Sequence, residues 1–316
     1  MVTPLGRTPP LHGPDQHPYG YAGGRQRVVV GDRVVELPAF HHRADCFFSA
    51  HLASYDAVRE LLPSEDVQPL RWFDGRAAIE LVVLRYGDAT TIVDGEVARL
   101  APYAELVVAA AVSRHPVPPG LPLLAPELFE VGSFVLDLPV TTAEARDLGR
   151  AGFGLPTFVA DMEFLDAPTR QSVTVGESGR HLLTLGVRPG GRLMRVRRPW
   201  ILYSSLGGAL LETHVSTTGW RHGRTGTHAA ELALGEHPVA QRLRDLEAST
   251  DPLLSATYLG LRTILPAGRP VGSARPWPGH AGADRVGGRY TVDYGGTGPV
   301  HQDAAAIGGL PEPVGG

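Results

Sequence analysis

Lysine is absent from all 316 residues, so every one of the 29 basic side chains is arginine. The only primary amine is the α-amino group of Met1, and a mechanism that forms an imine on a side chain has no nucleophile here. Arg, Gly, Ala, Pro and Val are abundant, a bias that a GC-rich genome explains, but the chemical consequence holds whatever its origin. Cysteine is nearly absent as well. The single thiol, Cys46, excludes an intramolecular disulfide framework and any multi-cysteine metal site. Met1 to Gly24 lacks the apolar core of a cleavable signal, and no apolar run approaches the length of a membrane span. A cytoplasmic protein without a membrane partner is expected. The net charge is −4, with no long run of either sign, which argues against a nucleic-acid partner.

Common catalytic fingerprints are missing too. No glycine-rich loop follows a strand and opens a helix, and no Gly-x-Ser-x-Gly elbow occurs. His41-His42 with Asp45, and His214 with Glu212, lack the spacing of a metal motif. Neither a metal nor a cofactor is therefore expected.

What the chain does contain is a body rich in strand signals between two Gly- and Pro-rich ends. Residues 1–27 read as a loose arm and 268–316 as an extension that buries too little apolar surface to fold alone. Trp277, Tyr290 and Tyr294 are unusual in a solvated tail and allow docking. In the body, 28–267, Arg27–Val30 and Arg33–Leu37 flank Gly31-Asp32, a hairpin-turn dipeptide. Apolar or alternating runs follow at Ala78–Tyr86, Ala104–Ser113, Ser133–Leu138 and Phe158–Phe164, then at Ser172–Val175, His181–Val187, Leu193–Ser204 and Ala209–Thr217. Helices are few: Ser54–Leu62 has a Ser N-cap, Thr141–Arg150 carries a capping box between Thr141 and Glu144, and His237–Ala248 has Pro in its first turn. Arg146 and Arg150 on the second of these read as solvated. Many strands with few helices indicate an α+β, mostly β fold in one domain, without dinucleotide-type βαβ alternation.

Three separated segments carry a family resemblance. Phe40-His41-His42-Arg43 is followed by Pro102-Tyr103-Ala104-Glu105, and then Gly149-Arg150 runs into Pro156-Thr157-Phe158. Their order and spacing resemble the acetoacetate decarboxylase family, which has Phe-His-x-Arg, Tyr-x-Glu and a Gly-Arg-Glu stretch leading into Pro-Lys-Lys. Gly235-Glu236-His237-Pro238 and Leu265-Pro266 sit where that family has its closing helix and final strand, so the resemblance spans Leu37 to Val271. It implies a β-barrel with a few short helices, a small-molecule substrate and a homo-oligomer.

Residue by residue, the resemblance places Arg43 on the family's active-site arginine and Glu105 on its active-site glutamate. Thr157 falls on the imine-forming lysine and Phe158 on its lysine neighbour. Threonine cannot form an imine, and phenylalanine replaces a cation with apolar surface. Glu105 and Arg43 are thus the candidate catalytic residues, as a poised acid–base pair or as a buried structural ion pair. Thr157, Phe158, Trp72, Met162, Glu212 and His214 are candidate substrate-binding residues, the last two sharing one strand face. The expected activity is lysine-independent acid–base catalysis on a β-keto or polyketide-like molecule: cyclisation, dehydration or isomerisation in specialised-metabolite biosynthesis. A non-catalytic barrel for a hydrophobic ligand and a non-imine decarboxylase remain as alternatives.

Overall fold

In the computed structural model, which describes residues 25–124, 129–196, 199–277, 279–282, 289–293 and 299–303, alternating sequence becomes long bent strands. The first half holds β1 (Gln26–Val30), β2 (Arg33–Ala53), α1 (Tyr55–Leu61), β3 (Gln68–Pro69), β4 (Ala77–Val93), β5 (Glu96–Leu100), β6 (Tyr103–Ser113), α2 (Leu121–Leu124) and β7 (Val131–Val140). Then come α3 (Ala143–Phe153), β8 (Thr157–Val159), β9 (Asp161–Ala167), β10 (Arg170–Glu177), β11 (Arg180–Val187), β12 (Leu193–Val196) and β13 (Trp200–Leu206). The chain continues through β14 (Ala209–Thr225), β15 (Ala230–Leu234), α4 (Pro238–Asp245), β16 (Pro252–Leu265), β17 (Arg269–Ser273), β18 (Arg289–Asp293) and β19 (Pro299–Asp303). Of the expected loose ends, Gln26 already pairs in β1, β17 pairs with β14, and Tyr294 lies outside the described residues.

The main sheet curls on itself. β2 pairs with β16 along one edge and β4 along the other; β4 pairs with β6, β6 with β7, β7 with β13, β13 with β14, and β14 with β16. The circuit returns to its start, but unevenly. β7 and β13 run parallel and meet over two register pairs only, Leu202 with Ser133 and Tyr203 with Phe134. The expected barrel is therefore corrected to a partial ring. Glycines at the bulges of β14 and β16, Gly219 and Gly260, take positive φ where the strands bend.

A second sheet, in the order β15-β11-β10-β9, lies outside the ring. Its Val173, Val175, Leu183 and Leu185 bury against Ile79, Leu81, Leu106, Val108 and Phe134 of the ring's outer face, with Val58 of α1 and Leu243 of α4. The inner face carries a different cluster, including Ala44, Cys46, Leu84, Val107, Ala109, Val135 and Leu261. Both faces of the ring strands are apolar because both are covered.

The helices largely follow their capping signals. Ser54 caps α1, accepting from the Ala57 N–H at 3.4 Å, and His237 caps α4. The capping box predicted at Thr141 moves by one residue: Thr142 is the N-cap, because the Thr141 hydroxyl already accepts the Ala104 N–H of β6 at 2.9 Å. α3 runs past Arg150 and stops at Gly154, which adopts the left-handed conformation. Arg146 and Arg150 are buried rather than solvated; the Arg150 guanidinium donates to the Thr157 carbonyl at 2.8 Å. Two strands predicted as continuous are divided, Phe158–Phe164 at Ala160 and Leu193–Ser204 after Val196.

α3 lies against β8 with almost no clearance. A Cβ on Gly149 would sit 2.6 Å from Thr157 Cγ2. Gly149→Ala should destabilise by about 1–3 kcal/mol through overpacking, despite the better helix propensity of alanine. Thr157→Ser removes that methyl and keeps the hydroxyl that donates to the Arg146 carbonyl at 2.7 Å. A double-mutant cycle by urea denaturation should show coupling of about 1 kcal/mol or more; strictly additive effects would contradict the contact.

Candidate active site

The inward face of the ring can be read from strand register, because directly paired residues point to the same side. One row runs from Arg221 on β14 to Tyr258 on β16, Cys46 on β2, Leu84 on β4, Glu105 on β6 and Val140 on β7. A second row holds Leu254, Ala50, Glu80, Ala109 and Val135. Two carboxylates therefore project from apolar strands into the ring. Glu105 is level with Leu84 of β4, four residues from Glu80 and so roughly 13 Å along the strand, and the two carboxylates serve two levels rather than one reacting atom.

Glu105, Glu80, Tyr103 and Tyr258 lie deep in the protein but keep part of their surface accessible, as side chains lining an internal space do. Burial pushes Glu105 up to about 7, and the Tyr86 hydroxyl, donating to its carboxylate at 2.9 Å, pulls it partly back. Glu80 is likewise raised to about 7 by burial, against a hydrogen bond from Ser133. Both therefore titrate near neutrality, where a group serves best as acid or base. Burial raises the Cys46 thiol and the Tyr86, Tyr103 and Tyr258 phenols, so these stay neutral. His41 bridges Tyr103 and Thr263 at 3.0 and 2.9 Å and stacks on Tyr86; burial lowers it to about 3, leaving a neutral ring. Arg221, at the β14 end of this row, hydrogen-bonds Tyr258.

The predicted site residues disperse. Glu105 points inward, whereas Arg43 is exposed at a bulge of β2, in register with Asp88. Arg43 lines an outer groove of about 510 Å³ with His42, Asp45, Arg85, Tyr86 and Asp88. Tyr86 alone touches both places. Thr157 shares the side of Leu138 in β7 but lies under α3. Phe158 is buried on the opposite side, in the outer core. Met162 also packs there, from β9. Trp72 walls a second groove, of about 660 Å³, with Phe73, Leu52 and Leu254, at the end of the ring nearest Glu80. Glu212 and His214 do share a face and meet at 2.8 Å, but Glu212 packs with Tyr203, on the outer side. Burial alone would raise Glu212, yet hydrogen bonds from Arg269, His214 and Tyr203 hold it below the usual range.

Sequence reasoning missed Glu80, Tyr86, Tyr258 and Arg221. Glu80 had a visible signal: it is the lone charge in the alternating run Ala77–Leu84. Arg221 had none, since only the pairing of β14 with β16 sets its side.

Comparison with known proteins follows this geometry. The family model for acetoacetate decarboxylase matches residues 30–273. An acetoacetate decarboxylase from Legionella pneumophila subsp. pneumophila str. Philadelphia 1 is 16% identical, covering 75% of this chain and 88% of that one at a TM-score of 0.57. An acetoacetate decarboxylase-like enzyme from Sphingomonas wittichii RW1 is 14% identical, covering 75% and 93% at 0.50. The enduracididine biosynthesis enzyme MppR, complexed with the condensation product of pyruvate and imidazole 4-carboxaldehyde, is 13% identical, covering 86% and 98% at 0.50. At these identities the likeness is one of fold. No curated protein sequence matches the chain.

The raised carboxylates carry a pH signature. Between about 4.5 and 7 the folded state binds more protons at Glu80 and Glu105 than the unfolded chain, so each contributes stability that declines as pH rises through that window. His41 and His51, lowered by burial to about 3 and 4, act in the opposite direction below their ordinary value of 6.5. The difference between wild type and Glu80→Gln isolates one carboxylate. By urea denaturation, the stability of wild type relative to the variant should fall by roughly 3 kcal/mol from pH about 4.5 to 8. Parallel pH curves would rule out a buried, raised Glu80.

Proposed function

Because the chain belongs to the acetoacetate decarboxylase family yet carries no lysine, we propose that it is an enzyme using acid–base chemistry, without an imine, on an enolisable small molecule held in the ring. The observation that carries this reading is Glu105: a carboxylate on the inward face, raised to about 7 by burial and oriented by the Tyr86 hydroxyl. At neutral pH it exists in both protonation states, so it can take a proton and return it.

The substrate class that fits is a β-keto or polyketide-like compound. In the proposed step, ionised Glu105 removes the proton from the carbon between two carbonyls. The electron pair of the broken C–H bond moves onto a carbonyl oxygen as an enolate, and the proton stays on the Glu105 carboxyl. Returning that proton to another carbon isomerises the substrate. Delivering it to a departing hydroxyl, which leaves as water, dehydrates the substrate; attack of the enolate carbon on a second carbonyl cyclises it, the resulting alkoxide taking the proton back from Glu105. Tyr258 and Arg221, three and four strands along the same row from Glu105, suit a carboxylate or carbonyl at the distal end of a long substrate rather than the enolate oxygen. Aromatic side chains, Tyr103, Trp200 and Tyr258, suit a substrate larger and less polar than a small keto acid. MppR carries a condensation product on the same fold, which supports a reading of chemistry other than decarboxylation. A homo-oligomer belongs to this reading and is tested by light scattering.

A binding protein without catalysis is the second reading. It is favoured by the neutrality of Cys46, His41 and the three inner tyrosines. Deuterium exchange separates the two. With a panel of β-keto thioesters in D2O, followed by NMR, the protein should accelerate exchange of the α-protons. Glu105→Gln should slow this by about 100-fold or more while leaving thioester affinity nearly intact, and Arg43→Met should change it little. Undiminished exchange in Glu105→Gln would end the acid–base proposal. Tight binding with no exchange in wild type would favour the binding reading.

A further inference from the structure

Residues 274–277 and 279–282 lie beyond the family match, which ends at 273, yet they are tied down across the joint between ring and second sheet. The Arg275 N–H donates to the Pro63 carbonyl at 2.8 Å, the Trp277 indole to the Leu136 carbonyl at 2.9 Å, and the His280 N–H to Asp137 at 2.8 Å. Arg150 donates to the Ala281 carbonyl at 3.0 Å. This strap brings His280 to a cluster that no motif spacing announces.

His280 Nε2 and His237 Nε2 lie 2.7 and 2.8 Å from the same oxygen, Oε2 of Glu177, and all three ligating atoms fall within 4.8 Å of one another. They come from three separate places: the last residue of β10, the N-cap of α4 and the strap. Glu177 and His237 are buried, and His280 is partly covered. Phe158 stacks on His237 with ring centroids 6.0 Å apart and meets His280 edge-on at 4.7 Å, so an apolar wall fixes both imidazoles. Gly282 allows the close approach of the strap: a Cβ there would lie 2.8 Å from Phe158 Cβ and 3.2 Å from Glu177 Oε1.

We propose that Glu177, His237 and His280 form a divalent-metal site of the zinc type, which fastens the C-terminal strap to the second sheet. Two imidazoles and one carboxylate are a donor set that zinc takes with a fourth position left for water. Without metal the trio is a hydrogen-bonded cluster with both rings donating to Glu177. Binding requires the ligand atoms to spread by a few tenths of an ångström and the Nε2 protons of His280 and His237 to move to Nδ1. The latter gives up the Val239 N–H bond to Nδ1, a long one at 3.2 Å, which is small beside three coordinate bonds. This reading revises the expectation of no metal. Ligands at 177, 237 and 280 are too widely separated for any local pattern to reveal them. The site is independent of the proposed lumen chemistry.

The test uses the full chain, stripped of metal with a chelator and titrated with Co2+ and then Zn2+. One equivalent of Co2+ should give the visible d–d bands of a four-coordinate site, displaced by Zn2+, and Zn2+ should raise Tm. His280→Ala and Glu177→Gln should each weaken binding roughly 100-fold or more and abolish the Tm shift. Wild type showing neither the bands nor the shift overturns the proposal. So does binding that survives in both variants, which would locate the metal on other histidines among the chain's 13. If a variant fails to fold, the wild-type spectrum and Tm shift still decide.

Discussion

Strand β2 is hydrogen-bonded on both edges along most of its 21 residues, to β16 on one side and β4 on the other. This double pairing brings the ends of the sheet together and so creates an inside. A flat sheet with the same strands would leave one face of β4 and β6 to helices or water. Here that face turns inward and packs as its own apolar cluster, and the carboxylates on it are largely withdrawn from bulk solvent. The bulges around Arg43 and Gly260 let β2 and β16 bend without breaking their ladders.

The chemistry of the lumen follows from that closure. Glu80 and Glu105 are ordinary strand carboxylates in composition, but desolvation moves both to about 7. The same desolvation keeps Cys46 a thiol and His41 an uncharged ring. An imine-forming lysine works in an apolar site because its neutral form is the reactive one. Glutamate exploits the same environment differently, by sharing its proton at physiological pH.

Much of the fold was legible in the chain. The hairpin at Gly31-Asp32, the cap at Ser54 and the alternating runs that became β4, β6, β10 and β11 are local signals with local causes. The motif resemblance pointed to the acetoacetate decarboxylase family, and the family match over residues 30–273 agrees with it in extent. Failures came where distant groups compete for the same atoms or surface. Thr141 looked like a helix cap until β6 took its hydroxyl. Arg146 and Arg150 looked solvated until β8 and the strap covered them. Arg43 is exposed at a bulge of β2, a placement no motif can indicate, because a one-residue slip in a strand reverses the side to which a residue points.

The absence of lysine was decisive from sequence alone, because no folding event can create an amine, and it excludes imine chemistry on a side chain in any geometry. Alternation likewise determined that long two-faced strands would form. The sequence could not say which face closes upon itself, how far burial would move each carboxylate, or that Arg221 joins the inner row. Nor could it say that residues 177, 237 and 280 would meet. Those depend on pairings between strands far apart in the chain and on exclusion of water by the assembled layers, and neither is written in local spacing.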